Sequence, residues 1–394
     1  MSPTAAVRTG LEEALADPRV FRGKRLGVIA NQSSVDRKYR HALDLLLARR
    51  GCRVVAAFGP QHGVRGETQD NMVEWRTFRD RRTGLPTYSL YGKTRKPTVA
   101  MLRGLDALVF DVQDVGARYY TFIYTMALAM EACAEQDKEM IVLDRPNPLG
   151  GVRVEGYMME EEYRSFVGLH PLPHRHGMSV GELALYFREE RGIPCRLQVV
   201  PMKGWRRHMW FDQTRLPWVL PSPNMPTLDT AVVYPGMCLL EGTELSEGRG
   251  TTRPFEIFGA PFIEPEKLVA RLAEFKLPGV KFRPLYFKPA FQKFAAQVCG
   301  GAQLHVTRRR AFKPLLTGVA VLKAVHDLYP GQFQFRHRAY EFVDQIPAID
   351  LLMGGDQFRQ QLMKGASLKE IEGPWTSQRE EFLKLRKEFL LYRN

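Results

Sequence analysis

The alternation of short apolar runs with amphipathic stretches through the first half of the chain constrains its fold more than any other feature. Residues 25–30, 53–58, 87–90, 106–110, 139–143 and 195–201 read as strands, each too short for a typical helix and rich in β-branched or apolar side chains. Between them, residues 42–49, 98–102, 120–136 and 179–191 carry helical patterns; Leu43, Leu46 and Leu47 share one face of the first. Strands alternating with helices imply a mostly parallel sheet covered on both faces, the doubly wound α/β class. In such a sheet the carboxyl ends of the strands lie along one edge, where ligands bind.

At 394 residues the chain is long for one domain. Pro217, Pro221, Pro223 and Pro226 crowd ten residues near 218–227 and mark a candidate boundary, giving domains 1–226 and 227–394. Beyond it come a strand-like segment at 231–234, a polar loop at 241–253, a less regular mixture, and a helix at 377–391. Phe382, Leu385, Phe389 and Leu390 form the apolar stripe of that helix.

The formal net charge is +14, with the densest basic runs at 79–82, 206–207 and 308–310. These lie far apart and lack the aromatic interleaving of RNA-binding motifs, so a solvated basic surface is expected rather than a nucleic-acid partner. No apolar run approaches the roughly 18 residues of a membrane span. The stretch from Met1 to Arg8 is too polar for a signal peptide, so a cytoplasmic location is expected. Cys52, Cys133, Cys195, Cys238 and Cys299 form no Cys-x-x-Cys pair and read as small buried hydrophobes.

Five segments concentrate side chains able to do chemistry. The loop after the second strand, Gly59-Pro60-Gln61-His62-Gly63-Val64-Arg65-Gly66-Glu67, combines flexible backbone with titratable groups and a guanidinium that can grip a carboxylate. Asp111, Gln113 and Asp114 end another strand, and Arg118, Tyr119 and Tyr120 open the following helix; an N-terminal cap by Asp114 with an internal Asp–Arg pair reads equally well. Asp144, Arg145 and Asn147 follow the next strand, Asn147 held between two prolines, with Glu155 shortly after. His170, His174 and His176 raise the question of a metal, but prolines and alternation give no helical ligand face, and none is expected; His176 counts instead among the candidate substrate-binding residues. Finally, Glu241, Glu244, Glu247, Arg249, Thr251 and Arg253 lie in a loop placed to close over a substrate. A P-loop, a nucleophile elbow, a zincin helix and a glycine fingerprint after the first strand are all absent, so no nucleotide or other cofactor is expected.

Four of these blocks, 59–66, 111–121, 144–148 and 241–256, occur in the order found in the YbbC/NamZ family of exo-β-N-acetylmuramidases, and the chain resembles that family from about Arg8 onward. The resemblance implies a Rossmann-like first domain, a smaller mixed α/β second domain and a cleft between them. It also implies an anionic amino-sugar or peptidoglycan-fragment substrate, whose lactyl carboxylate would suit the arginines. Glycoside cleavage needs an acid for the leaving oxygen and stabilisation of a cationic sugar. In the family's usual first loop a Glu, the favoured catalytic acid, precedes the histidine; here that position is Gln61. An amide cannot take that role. The acid then falls to Glu67, Asp111 or a later glutamate such as Glu244, or the substrate differs, or the chain binds muramyl sugars without cleaving them.

Overall fold

The computed structural model describes residues 6–66, 68–69 and 72–393. Seven strands build the first sheet: β1 (Arg25–Ala30), β2 (Arg53–Gly59), β3 (Phe78–Arg79), β4 (Pro86–Ser89), β5 (Ala107–Asp111), β6 (Glu139–Leu143) and β7 (Arg196–Val200). Their order is β3-β4-β2-β1-β5-β6-β7. All pairs are parallel except β3 with β4. With the two-residue β3 set aside, this is the doubly wound order whose winding reverses between β1 and β5. Period-two alternation sends side chains to two separate cores. Leu108, Phe110, Met140 and Val142 enter one core with the helix Phe122–Glu135. Leu26, Val28, Val109 and Ile141 enter the other with the helices Gly10–Ala16 and Ala42–Ala48.

Three more strands, β8 (Ile257–Ala260), β9 (Val280–Phe287) and β10 (Cys299–Val306), form a smaller antiparallel sheet ordered β8-β10-β9. The helix Pro265–Glu274 packs on it, and the helix Pro314–Leu328 packs against that helix.

Residues 231–234, expected as a strand, lie instead inside the helix Leu228–Met237. The Thr227 hydroxyl accepts from the Thr230 N–H (3.3 Å) and nucleates that helix despite its β-branched pair Val232 and Val233. It crosses Pro314–Leu328 at two glycines; a Cβ on Gly236 would stand 1.8 Å from the Pro314 carbonyl oxygen. The C-terminal helix also starts and ends earlier than expected, at Trp375–Leu385, and tightens to a 3₁₀ turn over Arg386–Phe389.

One contiguous apolar core runs from Ile29 to Phe389 and includes the helices Leu228–Met237, Pro265–Glu274 and Pro314–Leu328. The chain then returns to the first sheet. Arg386 donates to the carbonyls of Gly151 and Gly177, the Leu391 N–H to Glu182 (2.9 Å), and the Tyr392 hydroxyl to Asp144. Among the described residues no helix is long and apolar enough to cross a membrane.

Candidate active site

At the carboxyl ends of β2 and β5, a polar cavity opens between the large sheet and the carboxy-terminal part. Gln61 and His62 enter it from the loop after β2, and Tyr119, Tyr120 and Thr121 from the segment after β5. The proline-rich stretch adds Ser222, Asn224 and Met225 to the wall. The loop after β2 is tightly held. Trp75 Nε1 donates to the Pro60 carbonyl (3.0 Å), and His62 Nδ1 lies 2.7 Å from the Thr68 carbonyl oxygen. His62 has φ +72°, a left-handed conformation that a non-glycine residue keeps only when its surroundings impose it. Gln61 Oε1 accepts from the Thr121 hydroxyl (3.2 Å), joining the two loops.

The facing wall carries the charge. Glu241 accepts from Arg249 Nη2 (2.8 Å) through one oxygen and from the Tyr340 hydroxyl (2.9 Å) through the other. Arg249 also lies 3.3 Å from Glu247, which takes a hydrogen bond from Lys293 Nζ (3.0 Å). Burial opposes charge on Glu247, but Lys293 and Arg249 outweigh it and hold the carboxyl below its usual range. Arg249 is likewise held charged against burial by Glu241 and Glu247.

Beside this chain lies Glu341, 7% exposed and part of the cavity wall. It accepts from the Tyr91 hydroxyl at 3.1 and 2.8 Å. Burial pushes its carboxyl up to about 7, and Glu241 adds to the rise; Tyr91 and Arg95 pull the other way. Arg95 stacks on the rings of Tyr91, Phe166 and Phe342 at 4.4–5.0 Å. The wall therefore combines a carboxyl able to hold a proton near neutrality with a second carboxylate fixed by two donors.

Both halves of the chain match a description of one family. "Exo-beta-N-acetylmuramidase NamZ, N-terminal" matches residues 26–229, and its C-terminal counterpart matches residues 232–392. The chain belongs to the NamZ exo-β-N-acetylmuramidase family. It is 47% identical over 387 residues to the peptidoglycan β-N-acetylmuramidase NamZ of Bacillus subtilis (strain 168), covering 98% of this chain and 91% of that protein. Two crystal structures of DUF1343 family proteins from Bacteroides fragilis share the fold. One has a TM-score of 0.90 at 38% identity, covering 98% of this chain and 99% of the other. The second has a TM-score of 0.79 at 32% identity, covering 99% and 100%.

The NamZ blocks contribute to the cavity unequally. Of the residues expected there, Gln61, His62, Tyr119, Tyr120, Glu241 and Arg249 line it, and Glu247 stands behind Arg249. Asp111, expected as a catalytic group, is instead fully buried in a two-pronged pair with Arg145 (2.6 and 2.8 Å), its capacity taken by the guanidinium. Gln113 cross-links the carbonyls of Asp114 and Pro146, and Asp114 accepts from the Gly116 N–H (2.7 Å) with His176 at 3.3 Å. Asp144 accepts from the Ser179 hydroxyl and the Gly181 N–H, anchoring the helix Val180–Glu189. Asn147 spans the Met178 carbonyl and the Leu149 N–H, and Gly116 leaves room for it, since a Cβ there would sit 2.5 Å from Asn147 Oδ1. Glu155 pairs with Arg175 (2.9 Å).

Arg118 is fully buried and donates to the carbonyls of Leu172 and Leu352, tying the two parts of the chain together. Arg65 lies 3.4 Å from Asp80, and Arg253 3.3 Å from Glu256. Thr251 donates to the Gly248 carbonyl, and Glu244 lies 3.7 Å from Arg338, off the cavity wall. Of the arginines read as carboxylate binders, Arg249 alone lines this cavity among the described residues. Glu67 lies outside the described residues. Glu341 escaped the sequence reading altogether; its one local mark is an acid set between Tyr340 and Phe342 after the basic run Arg336-His337-Arg338. No group of three or more His, Cys, Asp or Glu among the described residues is placed to hold a metal.

Proposed function

We propose that the chain is a glycoside hydrolase that removes terminal N-acetylmuramic acid from peptidoglycan fragments, with Glu341 as proton donor and Glu241 as the carboxylate that stabilises the cationic sugar. The observation carrying this reading is the Glu341 carboxyl, raised to about 7 in the wall of a cavity that it shares with Glu241. A general acid works best with a pKa near the working pH, and glycoside cleavage divides its work between one protonated and one charged carboxyl. Tyr91 orients the donor, and Arg249 and Tyr340 orient its partner. Residues 1–226 and 227–394 form the two domains in this reading, and the cavity lies between them. Gln61 and His62 bind the sugar from the first domain.

The test is release of chromophore from a chromogenic β-N-acetylmuramide. Glu341→Gln is expected to lower kcat by about 10²- to 10⁴-fold with the fold intact. Full activity in that variant, with loss in Glu67→Gln, would move the acid to Glu67. Gln61 in the wall favours a second reading, a binding protein for muramyl sugars. Calorimetric binding of N-acetylmuramic acid by a parent protein that never turns over the chromogenic sugar would establish it.

A further inference from the structure

The positive charge is unevenly placed. Between Glu274 and Asp327 the sequence holds ten Lys and Arg and no Asp or Glu, most of the excess behind a net charge of +14. Four of the ten are neutralised: Lys293 by Glu247, Arg309 by Asp212 and Asp229, Lys313 by Glu372, and Lys323 by Asp327. The other six, Lys276, Lys281, Arg283, Lys288, Arg308 and Arg310, are exposed, and none has a carboxylate partner among the described residues.

Five of these lie on β9 or in the segments at its two ends, and Lys276 follows the helix Pro265–Glu274 that packs on it. Lys281 and Arg283 stand on β9, facing His305 and Gln303 across the ladder to β10. The turn carrying Arg308 and Arg310 folds onto the start of β9, where the Thr307 N–H donates to the Gly279 carbonyl (2.8 Å). Lys288 follows the other end of the strand. Just beyond it, the Ala290 N–H donates to the Gly250 carbonyl (2.8 Å), next to Arg249 of the cavity wall. From Lys281 to Lys288 an extended strand spans about 23 Å.

We propose that the basic cluster at the start of β9, Lys281 and Arg283 with Arg308 and Arg310 beside them, binds the carboxylate-bearing glycan chain whose terminal sugar enters the cavity, and so makes a polymeric substrate preferred over a single sugar. The inference rests on the proposed hydrolase function. Its support is charge complementarity: a glycan chain that contains N-acetylmuramic acid repeats a carboxylate, and a cluster of unpaired cations concentrates such a chain on this side of the molecule. Attachment outside the reacting centre adds binding without touching the chemistry.

The experiment compares the parent with Lys281→Glu/Arg283→Glu/Arg308→Glu and with its neutral counterpart Lys281→Gln/Arg283→Gln/Arg308→Gln, after thermal unfolding shows all three folded. Binding of a fluorescent glycan chain with free carboxylates is followed by anisotropy, and turnover by kcat/KM on that chain and on the chromogenic monosaccharide. The measurements are made at about 0.01 M and about 1 M salt, where charges act over about 30 Å and about 3 Å. We expect the charge-reversed protein to bind and cleave the chain about tenfold more weakly at low salt, with the neutral variant between and the difference gone at high salt. Monosaccharide turnover should be unchanged. Equal, salt-independent binding and cleavage of the chain by all three proteins overturns the proposal. So does tighter binding by the parent of a DNA duplex, or of phosphatidylglycerol vesicles, than of the glycan. A parent inert on the monosaccharide defeats the hydrolase reading by itself, while the anisotropy still reads the cluster.

Discussion

Glu341 and Tyr91 meet from positions 250 residues apart, and the pH behaviour of the cavity rests on that meeting. A carboxyl raised to about 7 is protonated on the acid side, so a donor role loses activity as pH rises through about 7. The Tyr91 hydroxyl donates to the carboxylate and favours its charged form. Tyr91→Phe is therefore expected to move the basic limb of the kcat–pH profile upward, a shift read on the chromogenic sugar; an unmoved limb would separate Tyr91 from the titrating group. The same shift has a stability consequence. Between the ordinary carboxyl value of 4.5 and about 7, the folded chain holds a proton that the unfolded chain has released. Glu341 thus contributes stability at acid pH that is lost as pH climbs through that window. Glu341→Gln should flatten this part of a urea-midpoint-versus-pH curve. None of this was legible in the sequence, because the environment of Glu341 is built from Tyr91, Arg95 and Glu241, all distant in the chain. Asp111 shows the converse: its place at a strand end was readable, but not that Arg145, 34 residues on, would occupy both its oxygens.

Elements of the first sheet were far easier to read than those of the carboxy-terminal part. Buried parallel strands are apolar runs bounded by turn residues, and β1 and β6 match the expected bounds residue for residue. Residues 231–234 offered a similar run, but the Thr227 cap and a close helix crossing decide the outcome there. That crossing has no room for a methyl group on Gly236. Gly236→Ala is expected to destabilise the protein by about 1–3 kcal/mol through forced separation of the two helices, measured by urea unfolding. A variant as stable as the parent would mean the backbones are not in contact. The loops after β2 and β5 were recognisable as site material from their residue types. The contribution of Ser222, Asn224 and Met225 to the cavity wall was not, since the prolines around them read equally well as a linker.

Across the whole molecule, the two parts share one core, and residues 386–392 strap the end of the chain to the first sheet. Tyr392 accepts from the Met202 N–H (2.8 Å) while donating to Asp144. Tyr392→Phe should cost about 1–2 kcal/mol in unfolding experiments, with turnover at low denaturant unchanged. The shared core also bears on biosynthesis. A ribosome delivers the large sheet, with Gln61, His62 and Tyr91 in place, long before it delivers Glu241 and Glu341. A half-finished chain has a sugar-facing loop but neither carboxyl of the proposed chemistry. In the proposed mechanism, hydrolytic capacity therefore arises only once Glu341 has been made, near the end of synthesis.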